Sequence, residues 1–177
     1  EAVDESFLAP LVARTREVGL RGNINTRLAK CAHGDFDAII LACAGLERLG
    51  LQERIRAELK PDAWWPAVAQ GAIAVESLAA KPEITALFVA LNDKPTELRV
   101  RAERAMNKAL HGSCQVPVAA YAEIHGDAMR LTGWVGDATN IRSISANAEG
   151  PAREPETLGH NVADMLFAQG AAELLNI

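Results

Sequence analysis

The longest uninterrupted apolar run in the first half of the chain, Asp37-Ala-Ile-Ile-Leu-Ala-Cys43, has no polar alternation. It predicts a strand buried on both faces, as in a parallel sheet covered by helices. Ahead of it, Val18-Gly19-Leu20 reads as a strand end and Arg21-Gly22-Asn23 as a turn. A helix follows, opened by Asn25 or Thr26 and closed by Gly34. Behind it, Ala44-Gly45 turns the chain into a helical stretch over residues 46–50. Residues 18–60 thus predict a βαβα piece of an α/β sheet. The first 18 residues read as irregular, because Pro10 interrupts an apolar face of Phe7, Leu8, Leu11 and Val12.

After Trp64-Trp65-Pro66, residues 67–76 predict a second apolar strand, and Pro82 opens a helix with Ile84, Leu87, Phe88 and Leu91 on one face. A further helix over residues 96–110 places Leu98, Ala102, Ala105, Met106 and Ala109 toward a core. Its surface carries the ion-pair spacings Glu97 with Arg101 and Arg99 with Glu103, and it stops at Gly112. Three strands are expected at residues 116–124, 129–135 and 140–148, the first two joined by His125-Gly126-Asp127. A last helix over residues 155–175 buries Leu158, Val162, Met165 and Leu166. The order α-β-β-β-α predicts a three-stranded antiparallel sheet with helices on one face.

Composition narrows the function classes. Eighteen Lys and Arg against 23 Asp and Glu give a formal net charge of −5, which provides no broad positive field for nucleic acid. No apolar run approaches the roughly 20 residues a membrane span needs, and no signal-peptide pattern opens the chain. A cytoplasmic protein is expected. Cys31, Cys43 and Cys114 are too few and too widely spaced for a disulfide framework or a zinc knuckle, so no metal is expected. Cys43, within the apolar run, is assigned to the core. The four histidines have no metalloprotease spacing and receive no role. Trp64 and Trp65 are expected to cover a domain seam.

Two constellations carry candidate chemistry. Cys114, in His111-Gly-Ser-Cys-Gln-Val-Pro117, sits between a helix end and a strand beside two small residues. An accessible thiol there can hold a group as a stable thioether. The alternative is a buried loop cysteine packed as a small hydrophobe. In Gly19-Leu-Arg-Gly-Asn-Ile-Asn-Thr-Arg27, Arg21 lies at a strand end and Arg27 in the first turn of the next helix, where free N–H groups favour anions. Guanidinium groups grip carboxylates through paired hydrogen bonds, so this spot suits a small polycarboxylate. The alternative is a pair of solvated surface arginines. Ala42, Ala44 and Gly45 are small enough to admit a ligand to the backbone, and Arg48 follows one helical turn later. Arg104 belongs to a solvated arginine run from which it can turn toward the Cys114 loop.

Six stretches together resemble the hydroxymethylbilane synthase, or porphobilinogen deaminase, family. They are Leu20-Arg-Gly-Asn-Ile-Asn-Thr-Arg-Leu28, Asp37-Ala-Ile-Ile-Leu-Ala, Ala44-Gly-Leu-Glu-Arg-Leu-Gly-Leu51, Pro66-Ala-Val-Ala-Gln-Gly-Ala72, Arg101-Ala-Glu-Arg-Ala-Met-Asn107 and Gly112-Ser-Cys-Gln-Val-Pro117. The resemblance runs from about Val18 to the C-terminus. It implies a fold in the α/β class: a partial periplasmic-binding-protein-like domain, then a small α+β domain with a three-stranded antiparallel sheet. On that scheme residues 18–65 are the second half of α/β domain 2, residues 66–95 an interdomain strand and helix, and residues 96–177 the C-terminal domain with the cofactor cysteine. Residues 1–17 are unassigned and do not resemble what should precede the Arg21 motif.

The implied activity is stepwise condensation of four porphobilinogen molecules, with loss of ammonia, onto a covalent dipyrromethane primer in tetrapyrrole biosynthesis. By position, Cys114 is the attachment point of that cofactor. Arg21, Arg27, Arg48 and Arg104 bind acetate and propionate groups, Ala42 and Gly45 offer backbone contacts, and Gln70 lies by the interdomain cleft. The complete enzyme is expected to be a monomer. The family's domain 1 and the first half of its domain 2 are expected to be missing, and with them the acid–base aspartate, so no catalytic acid or base is assigned in this chain. The other reading is therefore a truncated, non-catalytic module that binds small polycarboxylates. Positions 69 and 113, Ala and Ser here and commonly Gly in the family, read as minor changes. The family also sends the strand over residues 70–76 into the first domain's sheet, which leaves it without a partner here.

Overall fold

A computed structural model describes residues 19–61, 64–112, 116–137 and 142–177. The chain divides into two compact units between Trp64 and Trp65.

In the first unit, Asn23 caps helix α1, Ile24–His33, its side-chain oxygen accepting from the Thr26 N–H at 2.9 Å. The cap is thus Asn23, earlier than Asn25 or Thr26, because the Asn23 backbone is extended while Ile24 is already helical. Gly34 ends α1 at φ 90°, as its position predicts. A short helix α2, Cys43–Arg48, and a 3-10 turn, Gln52–Arg54, follow. The doubly buried strand is not observed. Residues 37–42 join no ladder among the described residues, and Ile40 is 67% exposed. A run can bury both faces only between neighbouring strands and covering helices, and this unit brings no second strand beside it among the described residues. Gly19 and Leu20 are likewise unpaired, and Val18 lies outside the described residues. Cys43, expected in the core, is half-buried at the start of α2.

The second unit opens with Ala67 bridged to Ala119, followed by a turn over residues 68–71. The strand expected over 67–76 is reduced to that one bridge. Residues 72–76 join no ladder among the described residues, and Ile73 is 76% exposed. Helix α3, Pro82–Phe88, continues as a 3-10 turn, Val89–Leu91, and its apolar stripe is uncovered, with Leu87 and Leu91 each 70% exposed.

Helix α4, Lys94–Ala109, starts two residues before the predicted start, because the Asp93 carboxylate accepts from the Thr96 N–H at 2.9 Å. Lys94, Asn92 and Arg101 all donate to Glu97 and pull its carboxyl down to about 2. The Glu97 and Arg101 pair is present at 3.3 Å. The expected Arg99 and Glu103 surface pair is not. Arg99 turns back to Thr96 Oγ1 at 3.0 Å, while Glu103 is buried.

Strands β1, Val118–His125, β2, Ala128–Gly136, and β3, Ser143–Pro151, form the expected antiparallel meander. The expected start of the third strand at Asn140 lies outside the described residues. His125 pairs with Ala128 across Gly126-Asp127, and Gly126 has φ 62°, the position at which a two-residue II′ hairpin takes glycine. Met129, Leu131, Gly133 and Val135 of β2 face the helices, opposite Ala120 and Ala122 of β1 and Ala146 of β3.

Helix α5, Pro155–Ala168, covers the same face with Leu158, Val162 and Leu166. It does not run to residue 175. Gly170, at φ 97°, breaks it and starts α6, Ala171–Leu175. Met165, expected in the core, is 42% exposed, because it lies 100° round the helix from Leu166 and outside the buried stripe. At Gly159 the two helices nearly touch: an added Cβ would lie 2.7 Å from Ala105 Cβ and 2.9 Å from the Met106 nitrogen. The described residues thus mix helices and strands around a three-stranded antiparallel sheet, and the core lies in the second unit.

Candidate functional site

Within the first unit, two segments singled out by sequence come together. An added Cβ on Gly45 would lie 2.8 Å from Ile24 Cδ1, so the start of α2 packs against the first residue of α1. The Arg21 to Arg27 loop and the Ala42 to Gly45 segment are therefore neighbours. A side chain at 45 would push against the end of Ile24, which gives a packing reason for a small residue there alongside any ligand contact.

Arg27 is half-buried, and its Nε donates to the Gly22 carbonyl at 2.8 Å. That bond fixes the stem and leaves the two Nη groups without a partner among the described residues. Arg21 and Arg48 are exposed and carry no ion pair among the described residues. The first turn of α1 has no acidic residue to compete for them. Unengaged guanidinium groups beside a helix N-terminus can bind carboxylates. Arg54, Arg56 and Arg130 are equally unengaged among the described residues, so that property alone does not select the site.

The second unit holds Gln70 and Arg104. Arg104 is exposed on α4, one residue past the buried Glu103. Gln70 is exposed in the turn over residues 68–71, where its Oε1 accepts from the Ala67 N–H at 2.9 Å. Its amide nitrogen stays available. Cys114, Ser113 and Gln115 lie outside the described residues. The chain on either side of them is anchored. The Gly112 N–H donates to the Asn107 carbonyl at 2.8 Å, and the Gly136 N–H donates to the Pro117 carbonyl at 2.9 Å. His111, at φ 54°, makes the tight exit from α4.

The sequence reading missed Asn107 and Glu103. Asn107 Nδ2 donates to the Gly112 carbonyl at 3.4 Å, and an added Cβ on Gly112 would collide with the Asn107 side chain. The only sequence signal was an asparagine in the last turn of a helix leading to the cysteine. Glu103 accepts the Ala69 N–H at 2.7 Å and the Ala122 N–H at 3.0 Å. Burial pushes its carboxyl above the ordinary range, and the two N–H donors and the Arg99 charge oppose that rise only in part. The associated stability is present in full below the ordinary carboxyl value and is lost as pH rises through the raised one. Its position in an i, i+4 charge pattern pointed the wrong way.

Position 69 is also not minor. Ala69 has φ 60°, a left-handed conformation that costs an alanine about 1 kcal/mol relative to glycine. Ala69→Gly is expected to raise stability by about 0.5–1 kcal/mol, read as a higher denaturation midpoint at unchanged slope. A lower midpoint would show that the unfolded-state entropy of the added glycine outweighs the relieved strain.

Comparison with known proteins settles the family. Residues 5–86 match the model for the porphobilinogen deaminase dipyromethane cofactor binding domain, and residues 97–168 match the model for the porphobilinogen deaminase C-terminal domain. The chain belongs to the porphobilinogen deaminase family. The match begins at residue 5, so the resemblance extends ahead of Val18 and includes most of the stretch that showed none by motif. A porphobilinogen deaminase of Stenotrophomonas maltophilia is 58% identical over 158 residues, 89% of this chain and 52% of that protein. Porphobilinogen deaminases of Xanthomonas euvesicatoria and Xanthomonas oryzae are 54% identical over the same shares. The chain thus spans about half the length of these curated relatives. Among the described residues no helix is long and apolar enough to cross a membrane.

Proposed function

We propose that this chain supplies the primer-holding and carboxylate-binding part of a hydroxymethylbilane synthase, a cytoplasmic transferase of tetrapyrrole biosynthesis. Residues 18–65 are the second half of its second α/β domain, residues 66–95 the interdomain segment, and residues 96–177 the C-terminal domain. Porphobilinogen is the substrate. Four molecules condense stepwise. Each addition forms one carbon–carbon bond and breaks two others, the carbon–nitrogen bond of an aminomethyl group and the carbon–hydrogen bond of the free pyrrole carbon, whose proton balances the nitrogen that leaves as ammonia.

In this reading the Cys114 thiolate holds dipyrromethane as a thioether. When bound, that group supplies the free pyrrole carbon from which the chain grows. Arg21, Arg27, Arg48 and Arg104 bind acetate and propionate groups through charge-assisted hydrogen bonds. Ala42 and Gly45 contribute backbone, and Gln70 its free amide. The donor set fits the ligand chemistry: each pyrrole has two carboxylates, and the four guanidinium groups have unengaged nitrogens among the described residues. The observation that carries the reading is the match of both halves of the chain to the family's cofactor-binding and C-terminal domains.

Intact-mass measurement of the purified chain tests it. The expected result is an adduct of two pyrroles, lost completely in Cys114→Ser. An unmodified thiol, with small polycarboxylates still bound and no porphobilinogen consumed, would favour the non-catalytic module instead.

A further inference from the structure

We propose that Glu103 is a positioning residue whose carboxylate, reaching from α4 to two distant backbone amides, holds the Ala69 turn in its left-handed path and closes the free edge of β1. Within the turn the Gln70 N–H donates to the Ala67 carbonyl at 3.0 Å, the Ala72 N–H to the Ala69 carbonyl at 3.2 Å and the Ala67 N–H to Gln70 Oε1 at 2.9 Å, but few bonds tie it to the rest of the unit. Ala67 makes one bridge to Ala119, the Ala120 N–H donates to the Pro66 carbonyl at 3.2 Å, and Ala69 adopts a φ that alanine avoids. The Glu103 oxygens take one amide each, Ala69 from the turn and Ala122 from β1. A carboxylate accepts at both oxygens, so it can serve two N–H groups that face each other across a gap no backbone carbonyl fills.

A further consequence concerns the sheet. β1 is an edge strand, and the Ala120 and Ala122 amides both point away from β2. Pro66 occupies the first and Glu103 the other, so two adjacent edge donors are withdrawn from pairing with another chain. The turn also presents Gln70, and for that link alone the proposal rests on the carboxylate-binding reading above. Arg99 and Tyr121 share the recess of about 250 Å³ beside the carboxylate, and residues 66–72 add no titratable group.

Amide hydrogen exchange on the chain as purified tests the proposal, whether or not Cys114 carries an adduct. Glu103→Gln keeps the shape but turns a donor toward one of the two amides. The expected result is exchange at least tenfold faster at Ala69, Ala122 or both, with Leu131 and Ala148 in β2 and β3 unchanged. Unaltered protection at both amides would overturn the proposal. So would uniform acceleration that includes Leu131 and Ala148, which marks a residue that only stabilises the unit. Should the variant fail to fold, the wild-type chain gives the same answer. Protection at Ala69 and Ala122 should fall as pH is lowered through the Glu103 titration by more than at Leu131 and Ala148; an equal change at all four amides would overturn the proposal. Loss of the pyrrole adduct in a separate mass measurement would count against the carboxylate-binding reading and leave the tether untouched.

Discussion

Gly159→Ala is expected to destabilise the second unit by about 2–3 kcal/mol, lowering its melting temperature by roughly 10 °C or more. On an exposed helix the same change would stabilise by up to about 1 kcal/mol, because alanine is the better helix former. Here the sign reverses. The added methyl meets the Ala102 carbonyl, the Ala105 Cβ and the Met106 nitrogen, and two of those are backbone atoms of α4 that no rotamer change can move. The helices must separate, and the stripe of Leu158, Val162 and Leu166 must lift from the sheet. Thermal unfolding followed by circular dichroism reads the effect directly. A melting temperature at or above the wild-type value would mean that α4 and α5 do not approach this closely.

A size exchange between Met106 and Gly133 is expected to show strong coupling. Met106 is fully buried, and an added Cβ on Gly133 would collide with its sulfur and lie 3.0 Å from both Leu166 Cδ1 and Val162 Cγ1. Met106→Ala should cost about 3 kcal/mol through the cavity it leaves. Gly133→Ala should cost about 2 kcal/mol through overpacking. In the double variant the new methyl enters space the methionine vacated, so its loss should be smaller than the sum by at least about 1 kcal/mol. Additive losses in denaturant titrations would show that these side chains do not share one space.

Both effects arise from glycines whose role was invisible along the chain. Gly133 lies inside an otherwise strand-like run, and Gly159 inside a helix, where periodicity registers only a small residue. The clash partners come from elements up to about 60 positions away. By contrast, Gly34 and Gly126 were legible as turn residues, because their requirement is a local backbone angle. The same division applies to the charges. Glu97 and Arg101 pair along one helix at their sequence spacing, whereas Glu103 was drawn inward by amides 34 and 19 residues away.

The apolar runs over 37–43 and 67–76 show the opposite failure. Their composition specifies a buried strand, but a strand is a relation between segments, and among the described residues the first run has no ladder partner and the second only the bridge from Ala67 to Ala119. Ile40, Ile73 and Val75 consequently stay more than half exposed.

The amino-acid order by itself determined the three-stranded meander and the long helix before it, the turns at Gly34 and Gly126, and the six stretches that identify the family, because helix period, strand alternation and turn chemistry act over a few neighbouring residues. Only the tertiary structure decided that Glu103 faces two amides, that Gly159 and Gly133 admit no side chain, and that Gly45 sets the start of α2 against Ile24. Those outcomes depend on which distant atoms share a volume, a quantity that no local pattern encodes.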